Sequence, residues 1–171
     1  RNNRIYIVHR LDRDTSGVMV YAKTEATKNK LQDHWQDRVT KRMYTAVVEG
    51  NVTKTEGTIS SWLKENKAMK VYSTSDQKEG KHAVTHYTKV GGNASYSLLE
   101  VELETGRKNQ IRVHMQDIGH PVVGDKKYGA TKNPIRRLGL HATTLSLYHP
   151  TTDQLVQYTV RPPENFIKLI Q

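Results

Sequence analysis

The sequence predicts an α+β fold in which a mostly antiparallel mixed sheet is flanked by a few helices. Alternating stretches rich in β-branched and aromatic residues recur along most of the chain, and short turns join several of them. Only three stretches have the features of helices. The length of 171 residues suits one domain, so residues 1–171 are interpreted as a single domain.

The predicted elements begin with two strands, at residues 4–9 and 17–23, with a densely charged turn between them. An amphipathic helix is expected from Thr24 to residue 39, because Thr24 can cap it and its apolar residues recur at helical spacing. The remaining strands are predicted at 41–50, 56–63, 81–90, 95–104, 140–149 and 154–160, and a short helix at 164–170.

A further helix is predicted over residues 108–118. Lys108, Arg112 and Gln116 are spaced four apart, so they would form a cationic stripe along one face of it. If this helix packs on the sheet near the charged turn, Arg112 or Arg107 would reach a carboxylate there.

Composition narrows the class of partner. The net charge of +10 favours a polyanion, nucleic acid before a membrane surface. The absence of cysteine excludes a disulfide scaffold and thiolate metal sites, and it fits a reducing compartment such as the cytoplasm. No apolar run approaches the roughly 20 residues that span a bilayer, so a membrane partner is not expected.

The turn "VHRLDRDTSG" at residues 8–17 carries more charge than chain reversal requires. A turn needs Gly and one Asp, whereas this one has two arginines and two aspartates. Taken alone, Asp12 is better explained by a turn cap or a structural ion pair than by catalysis.

Four blocks of sequence, however, occur together in one order. They are "HRLDRDTSG", "KRMYTAVVEG", "TGRKNQIRVHMQDIGHPVVGDKKYG" and "LHATTLSLYHP". In sequence and spacing these blocks resemble the RluA-type family of RNA pseudouridine synthases. The resemblance implies the catalytic-domain fold of that family. It also implies isomerisation of a uridine in ribosomal or transfer RNA to pseudouridine, with no metal and no cofactor.

The resemblance assigns roles to three residues. Asp12 is the catalytic carboxylate, Tyr44 lies against the target base and helps to move its C5 proton, and Arg112 pairs with the carboxylate. An adjacent guanidinium lowers a carboxyl pKa by about 1 to 3 units, so Arg112 is expected to keep Asp12 ionised. The sequence leaves open whether Asp12 attacks the sugar, attacks the base or removes a sugar proton. Asp14 and the "TSG" that follows it are interpreted as turn formers. Substrate contacts are expected from Arg10, Arg13, Arg107, Gln110, Ile111, His114, Lys126 and Lys127.

Two departures from the family pattern are present. The family commonly has His where Asn109 stands. Its members also have a strand-rich segment before "HRLD", so the chain is interpreted as an N-terminally truncated catalytic domain. Trp35 and Trp62 are expected in the core rather than as platforms for bases.

Two other functions compete with this interpretation. An RNA-binding module or inactive remnant would use the same basic surface without turnover. A metal-dependent nuclease would use histidines such as His82 and His86, but no "HExxH" pattern supports a metal site. No obligate protein partner is indicated.

Overall fold

The computed structural model describes residues 3–171. Within this range the strands are β1 (Tyr6–Ile7), β2 (Ser16–Gly17), β3 (Tyr21–Ala22), β4 (Val39–Glu49), β5 (Glu56–Glu65), β6 (Val71–Thr74), β7 (Lys81–Gly92), β8 (Tyr96–Leu103), β9 (Leu140–Tyr148) and β10 (Leu155–Thr159). The α-helices are α1 (Glu25–Asp33), α2 (Trp35–Arg38), α3 (Gln110–Asp117) and α4 (Glu164–Leu169), and a 3₁₀ turn spans Lys126–Tyr128.

Eight strands form one mixed sheet. Seven of them follow the order β10-β9-β4-β8-β7-β5-β6 with antiparallel neighbours, and β2 pairs parallel with β9. β1 and β3 form a separate antiparallel pair. The predicted α+β class with a mostly antiparallel sheet is therefore confirmed. No helix within residues 3–171 is both long enough and apolar enough to cross a membrane.

The centre of the sheet is buried on both faces. Ala46 and Val48 of β4 belong to the same hydrophobic cluster as Ile111 and the rest of the apolar side of α3. Val47, which points the other way, packs in a cluster that contains Phe166 of α4. Helices α3 and α4 thus cover opposite faces of the sheet at β4. Helix α3 consequently lies on the sheet beside the charged turn.

The predicted helix to residue 39 is wrong at its C-terminal end. Thr24 does cap α1, accepting a hydrogen bond from the Thr27 amide at 3.2 Å. The helix then breaks at His34, which has φ −118° and ψ 25°, and Val39 already begins β4 opposite Leu147. Strand pairing overrides the helical spacing of the apolar residues.

Three further boundaries differ from prediction. The strands expected at 4–9 and 17–23 are two-residue segments, because β1 and β3 pair only with each other. Strand β6 was not predicted. Helix α3 begins at Gln110 rather than at residue 108, since Asn109 adopts a left-handed conformation with φ 56°. Lys108 therefore precedes the helix, and the predicted cationic stripe does not exist as a single helical face.

Candidate active site

A cavity of about 300 Å³ opens where the charged turn, β4 and the loop before α3 meet. Four cationic side chains and a single carboxylate, Asp12, line it. The lining residues are His9, Arg10, Leu11, Asp12, Thr15, Trp35, Arg42, Tyr44, Leu103, Gly106, Arg107, Lys108, Asn109, Gln110, Ile111 and Leu140. Three of the four sequence blocks contribute most of this lining, and the fourth contributes Leu140.

The turn itself explains why Asp12 faces inward. The Thr15 amide donates to the Asp12 carbonyl at 3.0 Å, and Asp14 adopts a left-handed conformation with φ 70° that Asp tolerates. Asp14 is consequently exposed, whereas the Asp12 side chain is only 25% exposed. The Asp12 carboxylate also accepts a hydrogen bond from the Asn109 backbone. Two carboxylates two residues apart thus have different surroundings.

Arg112 contacts Asp12, but its main partner is another residue. Its Nη1 lies 4.0 Å from Asp12 Oδ2, at the limit of an ion pair. Its Nε and Nη2 donate to the two oxygens of Asp125 at 2.7 and 2.8 Å, and the Asp125 side chain is 1% exposed. Nη1 also donates to Asn109 Oδ1 at 3.3 Å. Asp125 was not among the predicted site residues, although it lies in the same sequence block as Arg112.

The net pKa of Asp12 is raised from 3.8, although Arg112 lowers it as expected. Burial is the largest cause, and the charge of Asp125 adds to it. Arg112, the Asn109 backbone and Lys108 act in the opposite direction. The sequence did not show that the Asp12 carboxylate is largely withdrawn from water, and this burial outweighs the effect of Arg112, which is also engaged by a second carboxylate.

Tyr44 shares the cavity with Asp12. Arg42 and Tyr44 both line it, and the register shift beside Tyr44 leaves the extra residue, Thr143, on β9 rather than on β4. Burial, followed by the charge of Asp12, raises the pKa of Tyr44 to about 12, and Arg42 offsets this only in part. The phenol therefore keeps its proton throughout the neutral range.

The other predicted site residues divide into two groups. Arg10, Arg107, Gln110 and Ile111 line the cavity. Gln110 also fixes the loop before α3, since its Oε1 accepts from Thr105 Oγ1 at 2.7 Å and from the Arg107 amide at 3.0 Å.

Four of these other predicted residues lie outside the cavity lining, as does Arg112. Arg13 is exposed on the turn, and Lys126 and Lys127 are exposed on the 3₁₀ turn that follows Asp125. His114 is a correction to the predicted substrate contacts. It is fully buried beneath the sheet, where its ring nitrogens bond Ser61 Oγ at 2.8 Å and Thr85 Oγ1 at 2.7 Å. Burial lowers the pKa of His114 to about 4, so it is a neutral packing residue.

Some cavity residues were not predicted at all. His9 accepts from the Val20 amide at 3.0 Å and lies against Trp35, with ring centroids 4.8 Å apart, so Trp35 is a wall of the site as well as a core residue. Burial and then the charge of Arg42 lower the pKa of His9 to about 4. Arg42 is two residues before Tyr44, and strand alternation was a usable indication that both face one side.

Comparison with known proteins identifies the family of this chain. The family model for RNA pseudouridylate synthase matches residues 1–117. The chain therefore belongs to the RNA pseudouridylate synthase family, which confirms the family resemblance of the sequence blocks.

Particular relatives are similar over most of this chain. The ribosomal large subunit pseudouridine synthase D of Haemophilus influenzae is 39% identical over 181 residues, covering 98% of this chain and 55% of the relative. The uncharacterized RNA pseudouridine synthase YlyB of Bacillus subtilis is 39% identical over 166 residues, covering 96% of this chain and 54% of the relative. The chain thus spans about half the length of these curated relatives.

A solved structure has the same fold. Human RNA pseudouridylate synthase domain containing 1 superposes with a TM-score of 0.82 at 26% identity. The match covers 94% of this chain and 70% of the human one.

Proposed function

We propose that residues 1–171 form the catalytic domain of an RNA pseudouridine synthase, with Asp12 as its catalytic carboxylate. One observation carries the proposal: among residues 3–171, Asp12 is the only carboxylate that lines a cavity of about 300 Å³, which Tyr44 also lines, and it lies 4.0 Å from Arg112. Pockets near this size can enclose a single small ligand group. A uracil swung out of its RNA is the ligand we propose.

The reaction is an internally balanced isomerisation. The bond from N1 of uracil to C1′ of ribose breaks, the base turns, and C5 forms a new bond to C1′. C5 loses one proton and N1 gains one, so no oxidant or reductant is consumed. The Asp12 carboxylate acts in its ionised form, which Arg112 and the Asn109 backbone stabilise against the effect of burial.

Tyr44 contributes a ring and a protonated hydroxyl. Removing a base from its stack costs a few kcal/mol, and stacking on an aromatic ring offsets part of that cost. The phenol, whose pKa is about 12, keeps its own proton, so we propose that it accepts the C5 proton while passing its own to the Asp12 carboxylate, which lines the same cavity. Outside the cavity, the exposed Arg13, Lys126 and Lys127 would hold backbone phosphates without reading sequence, so binding should weaken steeply with salt.

Ribosomal RNA of the large subunit is the substrate we favour over transfer RNA. The support is the printed function of three relatives, from Haemophilus influenzae, Pasteurella multocida and Yersinia pestis, each a ribosomal large subunit pseudouridine synthase D. We also propose a cytoplasmic location, which the cysteine-free composition supports.

The test compares the wild-type chain with Asp12→Asn on large-subunit ribosomal RNA and on transfer RNA, scoring pseudouridine by chemical mapping. We expect product in ribosomal RNA from wild type and none from Asp12→Asn, with RNA affinity retained. Asp14→Asn is the matched control and should remain active, because Asp14 is exposed on the same turn. RNA binding without product from wild type would instead support a binding module without turnover.

A further inference from the structure

We propose that Arg42 forms an anion subsite in this cavity that binds the backbone phosphate of the target nucleotide. The inference rests on the proposed function, because it concerns how the same cavity holds its RNA. It adds a residue that neither the sequence blocks nor the predicted contacts had singled out.

The first observation is that the half-buried Arg42 side chain has no hydrogen-bond or ion-pair partner among residues 3–171. The other shielded arginines are all engaged. Arg112 pairs with Asp125, Arg38 pairs with Asp153 at 3.0 Å, and Arg137 donates to the Leu138 and Leu140 carbonyls. Removing a guanidinium from water without a counter-charge is costly, and burial lowers the pKa of Arg42 accordingly. A site that tolerates this cost is arranged for an incoming anion.

The second observation concerns the charge of the cavity. Of its four cations, Arg107 donates to the His82 carbonyl at 3.0 Å and Lys108 pairs with Glu65 at 3.2 Å. Arg10 is exposed and hydrated by solvent. Arg42 is therefore the shielded cation whose charge and donors are uncommitted within the described chain. A full negative charge compensates such a group better than a neutral uracil carbonyl does, and the planar guanidinium suits a phosphate.

The third observation is a second unused donor. The Thr15 hydroxyl is buried, lines the same cavity and has no hydrogen-bond partner within residues 3–171. Buried polar groups are rarely left without a partner in native structures. Phosphate oxygens are acceptors and would accept from the Arg42 guanidinium, whereas the Thr15 hydroxyl is closed off from solvent by its neighbours and would need a local shift to join them.

Gly106 fixes where the guanidinium lies. A methyl group on Gly106 would overlap Arg42 Nη1, so the head group packs directly against the backbone of the loop before α3. Tyr44 follows two residues after Arg42 and lines the same cavity. A phosphate held at Arg42 would therefore position the attached uridine against Tyr44 and Asp12.

The test uses an RNA substrate whose target-nucleotide phosphate is replaced by a neutral methylphosphonate. We expect Arg42→Ala to lower kcat/KM roughly 10- to 100-fold on normal RNA, as loss of one member of a shielded charge pair does. The methylphosphonate should lower the wild-type value similarly but change Arg42→Ala by less than about threefold, since the two changes remove the same contact.

Two further variants control the test. Lys41→Ala removes an exposed charge from the neighbouring position and should stay within about twofold of wild type. Gly106→Ala keeps every charge but displaces the flexible end of Arg42, so it should reproduce the loss seen in Arg42→Ala with an unchanged melting temperature.

Additive losses from Arg42→Ala and the methylphosphonate would overturn the subsite, as would normal kcat/KM in Arg42→Ala. If Arg42→Ala lowers kcat/KM but the methylphosphonate leaves the wild-type value unchanged, the guanidinium would be assigned to the base instead. The same two changes, made singly and together in the Asp12→Asn background, can also be compared by RNA affinity. This comparison tests the subsite without turnover. Coupled losses of affinity with no wild-type product would reject the proposed function while supporting the subsite.

Discussion

Arg112 donates two hydrogen bonds to Asp125, through Nε and Nη2, and only its Nη1 lies toward Asp12, at 4.0 Å from Oδ2. The pair with Asp125 joins helix α3 to the segment before the 3₁₀ turn. Arg112 is thus held next to Asp12 by a carboxylate that faces away from the cavity. Its position does not depend on Asp12, so the Asp12 carboxylate is free to change its bonding without loss of this ion pair.

Asp125→Asn should therefore destabilise the fold, because it leaves the mostly buried Arg112 without its charged partner. We expect a loss of about 3 to 5 kcal/mol in the free energy of unfolding, measured by urea denaturation. Asp153→Asn breaks the pair with Arg38, in which Asp153 is 71% exposed, and should cost less than about 1 kcal/mol. Equal effects from the two variants would contradict the role of Asp125.

Activity should decline in acid through protonation of Asp12. Because burial raises the pKa of Asp12, the midpoint of the decline is expected above 3.8 in a pH profile of single-turnover rates. The folded state then binds this proton more readily than the unfolded chain, so ionising Asp12 at neutral pH destabilises the fold.

Asp12→Asn should consequently have a higher melting temperature than wild type at pH 7, and the difference should vanish in acid. Asp14→Asn, at an exposed position, should keep both the wild-type melting temperature and the acid midpoint. A lower melting temperature for Asp12→Asn at neutral pH would refute the direction given for this pKa.

His114 should make stability depend on pH over a different interval. Its pKa falls from 6.5 to about 4 on folding, so the unfolded chain binds its proton more readily. Its contribution is complete above pH 6.5 and is lost as the pH falls toward 4. This amounts to at most about 3 kcal/mol.

His114→Gln should flatten the decline of unfolding free energy across that interval, measured by urea denaturation at a series of pH values. His34→Gln changes an exposed histidine and should keep the wild-type slope. An unaltered slope in His114→Gln would show that the buried imidazole does not cause the decline of unfolding free energy with falling pH.

Tyr44→Phe separates the ring from the hydroxyl. The ring still stacks, so RNA affinity should stay within about threefold, whereas single-turnover rates should fall roughly 100-fold or more if the hydroxyl transfers a proton. Because the pKa of Tyr44 is about 12, its ionisation should not affect the wild-type rate below about pH 10. A parallel loss of affinity and rate would reassign Tyr44 to binding alone.

Local patterns predicted much of this molecule. Alternation located the long strands, and the sequence blocks identified residues that the fold brings together, Asp12 and Tyr44 among them. Other features depend on tertiary contacts that have no local pattern. The helical region ends at Arg38 because Val39 pairs with β9, and the burial of His114 follows from how α3 lies on the sheet. The same packing pairs Arg112 with Asp125 and sets the net pKa of Asp12. Residue spacing in the sequence does not predict this packing.

The parallel pairing of β2 with β9 bears on whether the protein segment that carries Asp12 or the RNA nucleotide moves. Ser16 and Gly17 are hydrogen-bonded into the sheet, and a side chain at Gly17 would collide with the Ala142 backbone. The segment that carries Asp12 is therefore anchored directly after its turn, unlike a mobile flap. Under the proposed function, the Asp12 carboxylate stays in place, so the target nucleotide makes the large movement that brings its base to Asp12. RNA that is already loosely stacked at the target should accordingly be the faster substrate.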